Sequence, residues 1–253
     1  MLFYGKTDVG QRRAVNQDNF AIRKYDGGTV SAVVCDGMGG ANGGDTASAV
    51  AIREFSDVLE RAEKEHPAFF DLSEDEILDI LSEAVTEANR AVYKMANANP
   101  ELSGMGTTLV AVIVSGSDEM AYAVNVGDSR LYYVDEDGIS QVSHDHSWVQ
   151  YQVDIGKLTP EEAKNSKMKN RIYRAVGIDR TVGADLFTCD APHGCGFILC
   201  SDGLTNHVEP EEIRDQVIEA GKTGDIQGAC EALIDCANER GGLDNITAVV
   251  LSV

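Results

Sequence analysis

Strand-like and helix-like segments occur in separate blocks along this chain, and this segregation limits the possible folds more than any other feature. The predicted order is two strands (19–25 and 29–35), two helices (44–65 and 73–99), three strands (107–116, 120–127 and 129–143), a polar stretch (146–175), a strand (196–200), two helices (209–220 and 225–241) and a last strand (245–253). Blocks of strands beside blocks of helices favour an antiparallel sheet with helices packed outside it. The sequence therefore predicts a layered α+β fold.

Two helix starts carry clear capping signals. Ser73 stands three residues before Glu76, which is the spacing of a capping box. Thr159 and Glu162 have the same spacing around Pro160, a residue that favours the first helical position. Both places therefore predict the first turn of a helix, the second one inside the polar stretch.

The acidic composition argues against several classes of partner. The chain of 253 residues has 21 Lys and Arg against 42 Asp and Glu, a formal net charge of −21. Binding to nucleic acid or to an anionic membrane needs clustered positive charge, so we expect neither partner. No stretch approaches the roughly 18 apolar residues of a membrane span, and residues 1–13 do not have the pattern of a signal peptide.

The cysteines indicate a reducing compartment. None of the six forms a C-x-x-C pair, and several lie in apolar strand or helix contexts; they are Cys35, Cys189, Cys195, Cys200, Cys230 and Cys236. We interpret them as small buried hydrophobic residues. The sequence therefore predicts a cytoplasmic protein.

Residues 32–48 place an acid and several glycines between a strand and a helix. Asp36 ends the apolar run, and glycines follow at 37, 39, 40, 43 and 44. A glycine-rich loop before a helix can bind phosphate, but neither nucleotide-binding pattern fits: no Gly-Lys-Ser/Thr follows, and Asn42 replaces the third glycine of G-x-G-x-x-G. A tight turn explains one or two of the glycines, but it does not explain Asp36.

Four further acids stand, like Asp36, at the edges of apolar runs: Asp18, Asp128, Asp202 and Asp244. Each alone has an ordinary interpretation, as a turn residue, a cap or, for Asp128, a partner of Arg130. Burial of an unpaired carboxylate costs several kcal/mol, so a group of them is tolerable only with cations. Oxygen ligands suit Mg²⁺ and Mn²⁺. Spacing alone leaves open whether these acids meet.

Seven segments resemble, in order, the motifs of the type 2C metal-dependent (PPM) Ser/Thr protein phosphatases, in their bacterial branch. They are TDVGQRRAVNQDNF, VVCDGMGG, GMGTTLVAVIV, VNVGDSRLYYV, DHSWVQYQVDIGKLTPEEA, FILCSDGL and DNITAVV, and together they span essentially the whole chain. The resemblance implies one catalytic domain over residues 1–253. Its fold would be a four-layer αββα sandwich, with two antiparallel sheets between outer helices.

The same resemblance implies a site for two Mn²⁺ or Mg²⁺ ions, with a third in bacterial relatives. Asp36 matches the acid that bridges two ions, and Asp202 and Asp244 match further ligands of the first. Gly37 would offer its carbonyl oxygen to the second ion. Asp128 would join Asp202 at the third, weaker position.

Arg13, Asp18 and Asp36 are the residues to which the resemblance gives catalytic roles. Arg13 matches the residue that binds the substrate phosphate, a bidentate task suited to a guanidinium group. Asp18 matches an acid that positions metal-bound water. A water that bridges the two ions would attack phosphorus in line, with no covalent phosphoenzyme.

Three positions depart from the family pattern. Gln17 stands where many relatives have Glu, which removes a charge beside the second metal. Met38 stands where animal enzymes have a His that protonates the leaving group, so the general acid is unassigned. Asn206 stands where some relatives have an Asp at the third metal, which predicts a weaker third site.

Residues 145–182 resemble the mobile flap of this family. They contain a local basic excess: Lys157, Lys164, Lys167, Lys169, Arg171, Arg174 and Arg180. An ordinary solvated surface explains these charges, and docking of phosphorylated segments is the functional alternative. His144 and His146, which flank Asp145, are expected to be loop residues rather than metal ligands.

The sequence thus predicts a metal-dependent phosphatase acting on phosphoserine and phosphothreonine. We expect a monomer that opposes a bacterial Ser/Thr kinase and acts on its phosphorylated targets. The alternatives are a catalytically weak phosphoprotein-binding regulator of the same fold, and a hydrolase of small phosphoesters. All the acids and Arg13 are present, which favours the enzyme.

Overall fold

The computed structural model describes residues 1–40, 43–69 and 71–253. Asn42, which breaks the dinucleotide pattern, lies outside these residues. The described strands are β1 (Leu2–Asp8), β2 (Asp18–Lys24), β3 (Val30–Met38), β4 (Gly106–Thr107), β5 (Leu109–Val114), β6 (Met120–Val126), β7 (Arg130–Val134), β8 (Ile139–Gln141), β9 (Asp185–Asp190), β10 (Gly196–Cys200) and β11 (Ile246–Ser252). The α-helices are α1 (Gly44–Glu65), α2 (Glu74–Ala98), α3 (Trp148–Asp154), α4 (Pro160–Lys164), α5 (Asp202–Thr205), α6 (Pro210–Thr223) and α7 (Ile226–Glu239).

Two antiparallel sheets form the centre of the molecule. One sheet has the strand order β1-β11-β10-β7-β8, and the other has the order β2-β3-β5-β6-β9, with β4 paired to β3. Every strand pair is antiparallel. Helices α1 and α2 cover the outer face of the second sheet, and α6 and α7 cover the outer face of the first. The predicted four-layer α+β sandwich is confirmed.

Strand β3 shows why the central strands read as continuous apolar runs. Ala32 and Val34 point into the core between the sheets, whereas Val33 and Cys35 point into the core under α1 and α2. Both faces of the strand are buried, so the usual alternation of polar and apolar residues disappears. The sandwich therefore has three apolar layers, one between the sheets and one beneath each pair of helices.

Most predicted elements are confirmed, including both capping boxes. Ser73 accepts a hydrogen bond from the Glu76 backbone, and Thr159 accepts one from the Glu162 backbone. Strands β1 and β9 were not predicted. Strand β9 alternates between exposed and half-buried residues, and β1 is only half-buried along most of its length. Neither strand has the apolar run that identified the others.

The site residues lie where strands begin and end at one edge of the sandwich. Asp18 opens β2 and stands opposite Asp36 in the β2–β3 pairing. Asp202 follows β10, and Asp244 precedes β11 in the other sheet. The loop between β6 and β7 brings in Asp128. Pairing between neighbouring strands therefore fixes the relative positions of these acids.

Residues 145–182 contain α3 and α4 and are tied to the sheets at two places. Ser147 bridges to Ile172 within the segment, and Val176 bridges to Thr107 beside β4. None of the helices in the described residues has the length and hydropathy of a membrane-spanning helix.

Candidate active site

One cleft collects most of the side chains predicted to be functional. Its volume is about 530 Å³, and its walls include Arg13, Asp36, Gly37, Asp128, Asp202 and Asp244. Asp18 is 3% exposed and interacts electrostatically with Asp36, Asp202 and Asp244. Residues from both sheets, far apart in the sequence, therefore meet at one place.

Asp18 is held by two hydroxyl groups from the neighbouring sheet. Ser201 Oγ donates to Asp18 Oδ2 at 2.6 Å, and Thr247 Oγ1 donates to the same oxygen at 2.7 Å. The other oxygen, Oδ1, is buried and has no hydrogen-bond partner in the described residues. One half of this carboxylate is thus fixed, and the other half is available to a ligand.

The backbone around Asp36 and Gly37 is fixed from both sides. The Asp36 amide donates to Thr108 Oγ1 at 2.9 Å, and its carbonyl oxygen accepts from Thr107 Oγ1 and the Thr108 amide, both at 2.9 Å. A Cβ atom at Gly37 would lie 2.0 Å from the Gly44 carbonyl oxygen. Only glycine fits at this position, because the next helix passes directly over the chain.

Asp128 and Asp202 border a second, adjoining cleft of about 330 Å³. Arg130, the alternative partner of Asp128, instead pairs with Asp145, with Nη2 and Oδ2 2.7 Å apart. The interpretation of Asp128 as a simple partner of Arg130 is therefore wrong. Asp202 Oδ1 is buried and unpartnered among the described residues.

Arg13 reaches the cleft from an exposed loop and pairs with an acid of the site. Its Nη2 lies 2.7 Å from Asp244 Oδ2, and about half of the Arg13 side chain is exposed. Asn245 holds this loop: its Nδ2 donates to the carbonyl oxygens of Val9 and Val15 at 2.9 and 3.0 Å, and its Oδ1 accepts from the Gln17 amide at 2.9 Å. The loop is thereby anchored beside Asp244.

Burial and mutual repulsion make the clustered carboxyls weaker acids than usual. Burial raises the pKa of Asp18 to about 7. Burial and then the charge of Asp202 raise the pKa of Asp128 to about 8. Burial and then the charge of Asp244 raise the pKa of Asp202 to about 6. Burial and then the charge of Asp18 raise the pKa of Asp36 well above its usual value. A bound cation would relieve both effects.

The donor set fits hard divalent cations. Carboxylate oxygens and a backbone carbonyl are the ligands that Mg²⁺ and Mn²⁺ prefer, and two of the buried carboxylate oxygens, on Asp18 and Asp202, have no partner in the described residues. Within residues 1–40, 43–69 and 71–253, however, no group of three His, Cys, Asp or Glu side chains is arranged to hold a metal ion. Arg13 occupies Asp244, and like charges repel, so the acids line the cleft without forming a closed ligand set.

The three departures from the family pattern have definite surroundings. Gln17 Nε2 donates to the Gly40 carbonyl oxygen at 2.8 Å, a bond that a glutamate could not donate. Asn206 Oδ1 accepts from Lys169 Nζ at 2.7 Å. Met38 lines the cleft, and its thioether carries no proton to donate.

Several supporting residues were not found from the sequence. The hydroxyls of Thr108, Ser201 and Thr247, and the amide of Asn245, hold the acids and the Arg13 loop in place. Their partners are remote in sequence: Thr247 and Asp18 are 229 positions apart. No short motif contains both members of such a pair, and only the strand register brings them together.

His146 also supports the site. It is 1% exposed, and its backbone amide donates to the Gly127 carbonyl oxygen at 2.9 Å. The Gly127 amide donates back to His146 Nδ1 at 3.0 Å. The histidine therefore clamps the peptide before Asp128.

The family model described as protein phosphatase 2C matches residues 8–237. The serine/threonine phosphatase Stp of Listeria innocua is 36% identical over 246 residues, which cover 97% of this chain and 93% of that protein. The serine/threonine protein phosphatase PstP of Mycobacterium tuberculosis is 33% identical over 251 residues, which cover 99% of this chain and 45% of PstP.

Solved structures show the same fold. The serine/threonine phosphatase Stp1 from Staphylococcus aureus superimposes with a TM-score of 0.88 at 32% identity, covering 100% of this chain and 95% of that one. The catalytic domain of PstP in complex with two manganese ions superimposes with a TM-score of 0.80 at 31% identity, covering 98% of this chain and 96% of that one.

Proposed function

We propose that this chain, which belongs to the protein phosphatase 2C family, is a metal-dependent phosphatase that removes phosphate from phosphoserine and phosphothreonine in proteins. The observation that carries the proposal is the cleft itself. Buried carboxylates with unpartnered oxygens line it, and an arginine stands at its rim. Such a cleft binds cations and then a phosphate group.

The residues divide into two groups by what they bind. Asp36, Asp202, Asp244 and the Gly37 carbonyl hold two Mn²⁺ or Mg²⁺ ions, and Asp128 adds a third, weaker position. The pair of manganese ions in the PstP structure supports this assignment. Bound divalent ions make a water molecule acidic enough to attack phosphorus near neutral pH and neutralise charge on the phosphate.

Arg13 exchanges one anion for another during the catalytic cycle. In the described structure it pairs with Asp244, and a carboxylate and a phosphate present similar oxygen pairs to a guanidinium group. When a cation takes Asp244, Arg13 is free to hold the substrate phosphate. Its exposed loop leaves room for this movement of the side chain.

Asp18 acts as a proton acceptor for the attacking water and not as a nucleophile. Ser201 and Thr247 fix its Oδ2, so Oδ1 is the oxygen that faces the reaction. No covalent phosphoenzyme is needed, and the thiols take no part. Burial raises the pKa of Cys35 and holds that thiol neutral.

Residues 145–182 form the flap of a single catalytic domain that spans 1–253. Lys167 and Lys169 would dock acidic or phosphorylated protein segments near the cleft, although Lys164 already pairs with Glu209. We infer that the enzyme is a cytoplasmic monomer that opposes a Ser/Thr kinase. The free cysteines support the cytoplasm, and the bacterial relatives named as serine/threonine phosphatases support the substrate class. The same names argue against a merely phosphoprotein-binding regulator.

The deciding experiment is release of phosphate from a phosphothreonine peptide with Mn²⁺ and with EDTA. We expect turnover only with the metal, and a loss of at least 1000-fold in Asp202→Asn and in Asp36→Asn, which keep the shape of each side chain. Circular dichroism must show that both variants are folded. A folded, metal-loaded protein without turnover would contradict the proposal and favour the binding protein.

Docking by the flap needs a separate test. Reversal of charge at Lys167 and Lys169 should raise the KM for a phosphoprotein at low salt and leave turnover of a small phosphoester unchanged. Unchanged KM values for the protein substrate would rule out docking by these lysines.

A further inference from the structure

A second groove lies away from the active-site cleft, along one side of helix α2. Its volume is about 760 Å³. The exposed face of α2 from Thr86 to Ala98 forms one wall, and residues 180–182, which lead into strand β9, form the other. No lining residue is shared with the active-site cleft.

The charge around this α2 groove is the reverse of the charge of the chain. Arg90, Lys94 and Arg180 line it, and no carboxylate does. The chain as a whole carries 42 acids against 21 basic residues. Arg90 is paired with Glu87, but no ion pair within the described segments involves Lys94 or Arg180. The groove therefore presents at least two uncompensated positive charges.

The floor of the groove is apolar. Tyr93 and Val182 are half-buried and line it together with Ala98. An apolar floor between basic residues suits a peptide segment that carries acids and one bulky apolar side chain. The acids would meet Lys94 and Arg180, and the apolar side chain would cover Tyr93.

The wall formed by residues 180–182 is held firmly. Asn89, which is 2% exposed, donates from Nδ2 to the carbonyl oxygens of Asp179 and Arg180 at 3.2 and 3.3 Å. Its Oδ1 accepts from the Gly177 amide at 2.7 Å. The buried amide fixes the groove wall to α2, so the groove is formed before any partner binds.

The same contacts connect the groove to the catalytic residues. Val176, next to Gly177, exchanges two backbone hydrogen bonds with Thr107, at 2.8 and 3.0 Å. Thr107 Oγ1 donates to the Asp36 carbonyl oxygen at 2.9 Å. A partner seated in the groove would therefore lie at a fixed position relative to the cleft.

We propose that the α2 groove is a docking site for an acidic peptide segment with one bulky apolar side chain, belonging to the proteins that this phosphatase dephosphorylates. The proposal rests on the proposed function for the identity of the partner, but the binding itself does not require turnover. Docking at a distance from the scissile phosphate would lower the KM of substrates that carry such a segment.

The first test measures binding by fluorescence anisotropy. The probe is a fluorescein-labelled peptide of glutamates around a central leucine and phenylalanine, with a glutamine-for-glutamate peptide as its neutral control. We expect the full chain to bind the acidic peptide at least 10-fold more tightly than the neutral one at low salt. The double variant Lys94→Glu/Arg180→Glu should weaken binding of the acidic peptide at least 10-fold.

A matched double variant controls for the change in net charge. Lys24→Glu/Lys64→Glu alters two exposed lysines outside the groove and changes the charge by the same amount. We expect its affinity to stay within 2-fold of the original chain. Equal losses in both double variants, or equal binding of both peptides, would overturn the proposal.

A second copy of this acidic chain is the competing occupant. Sedimentation velocity of the original chain and of Lys94→Glu/Arg180→Glu distinguishes the two cases. A dimer that dissociates in the variant would assign the groove to self-association and overturn the proposal. A single species that does not change its size leaves the acidic peptide as the occupant.

Turnover separates failure of docking from failure of the proposed function. A phosphothreonine peptide joined to the acidic segment should have a KM at least 5-fold lower than the same peptide without it. The groove variant should lose this difference and keep the turnover of a small phosphoester. Peptide binding without any turnover would refute the proposed function alone, and turnover without the KM difference would refute docking alone.

Discussion

At the scale of single residues, the site depends on acids that are only half satisfied. Asp18 has one oxygen that accepts two hydroxyl hydrogen bonds and a second that is buried without a partner in the described residues. An unpartnered buried acceptor costs about 1–3 kcal/mol, so the chain is less stable than it would be with an apolar residue there. Arg13 offsets part of the charge at Asp244. Its removal is therefore informative.

Arg13→Ala should lower kcat/KM for a phosphothreonine peptide by roughly 10- to 150-fold, since a hydrogen bond to a charged group contributes about 1.5–3 kcal/mol. Arg13→Lys should recover only part of the loss, because an ammonium group cannot bind two phosphate oxygens in one plane. Steady-state kinetics at saturating Mn²⁺ measures both. Arg12→Ala is the control, since its exposed neighbouring side chain does not line the cleft. Equal losses at both arginines would assign the effect to general electrostatics.

At the scale of elements, strand ends bring the functional groups together, and polar side chains lock the loops between them. Asn245 is the main example, because its three hydrogen bonds fix the loop of residues 9–17 against the start of β11. It is 5% exposed, so water could not replace these bonds without a rearrangement.

Asn245→Ala should therefore act on substrate binding and on stability together. Three buried backbone groups would lose their partner, and each costs on the order of 1 kcal/mol, so we expect the unfolding free energy to fall by roughly 2–3 kcal/mol. The Arg13 loop would lose its anchor, which raises KM more than it lowers kcat. Urea unfolding and steady-state kinetics measure these effects. Asn238→Ala, which removes bonds to Gln11 and Asp8 outside the cleft, is the comparison; a smaller KM effect there is expected, and an equal one would contradict the anchoring role.

Elements with continuous apolar runs and clear caps could be predicted from the sequence, and others could not. Strand β3 is buried on both faces, and α2 begins at a capping box. Strand β9 pairs with β6 at the sheet edge and exposes every second residue, so its segment resembles a loop. The acids at strand ends could be found from their positions, but their supports could not. Thr108 and Asn245 serve the site through partners that only the folded register supplies.

At the scale of the whole molecule, the fold holds many like charges together. The net charge is −21, and the cleft contributes carboxyls whose pKa values are raised by burial. Divalent cations that bind the folded chain stabilise it by mass action, by about 2.7 kcal/mol at a concentration one hundred times the dissociation constant. For a chain of this size, that corresponds to a rise in the thermal midpoint of roughly 5–10 °C.

The metal-free protein should lose stability as the pH rises from about 5 to 8. Burial raises the pKa of Asp18 to about 7 and that of Asp128 to about 8, whereas both titrate near 4 in the unfolded chain. Between these values the folded state binds more protons than the unfolded state, so the unfolding free energy falls as protons are removed. Calorimetry in EDTA at pH 5.5 and pH 8.0 measures the decrease.

Mn²⁺ should reverse this pH dependence, because the cation replaces the protons that the carboxyls lose. We expect the stabilisation by Mn²⁺ to be several degrees larger at pH 8.0 than at pH 5.5, and to be nearly absent in Asp36→Asn. Asp18→Asn keeps the acceptor for Ser201 and Thr247 but removes a titrating group, so its slope in EDTA should be shallower. A thermal midpoint in EDTA that stays constant or rises between the two pH values would mean that the acids are not crowded as the structure describes. In that case the cation would have to be bound elsewhere.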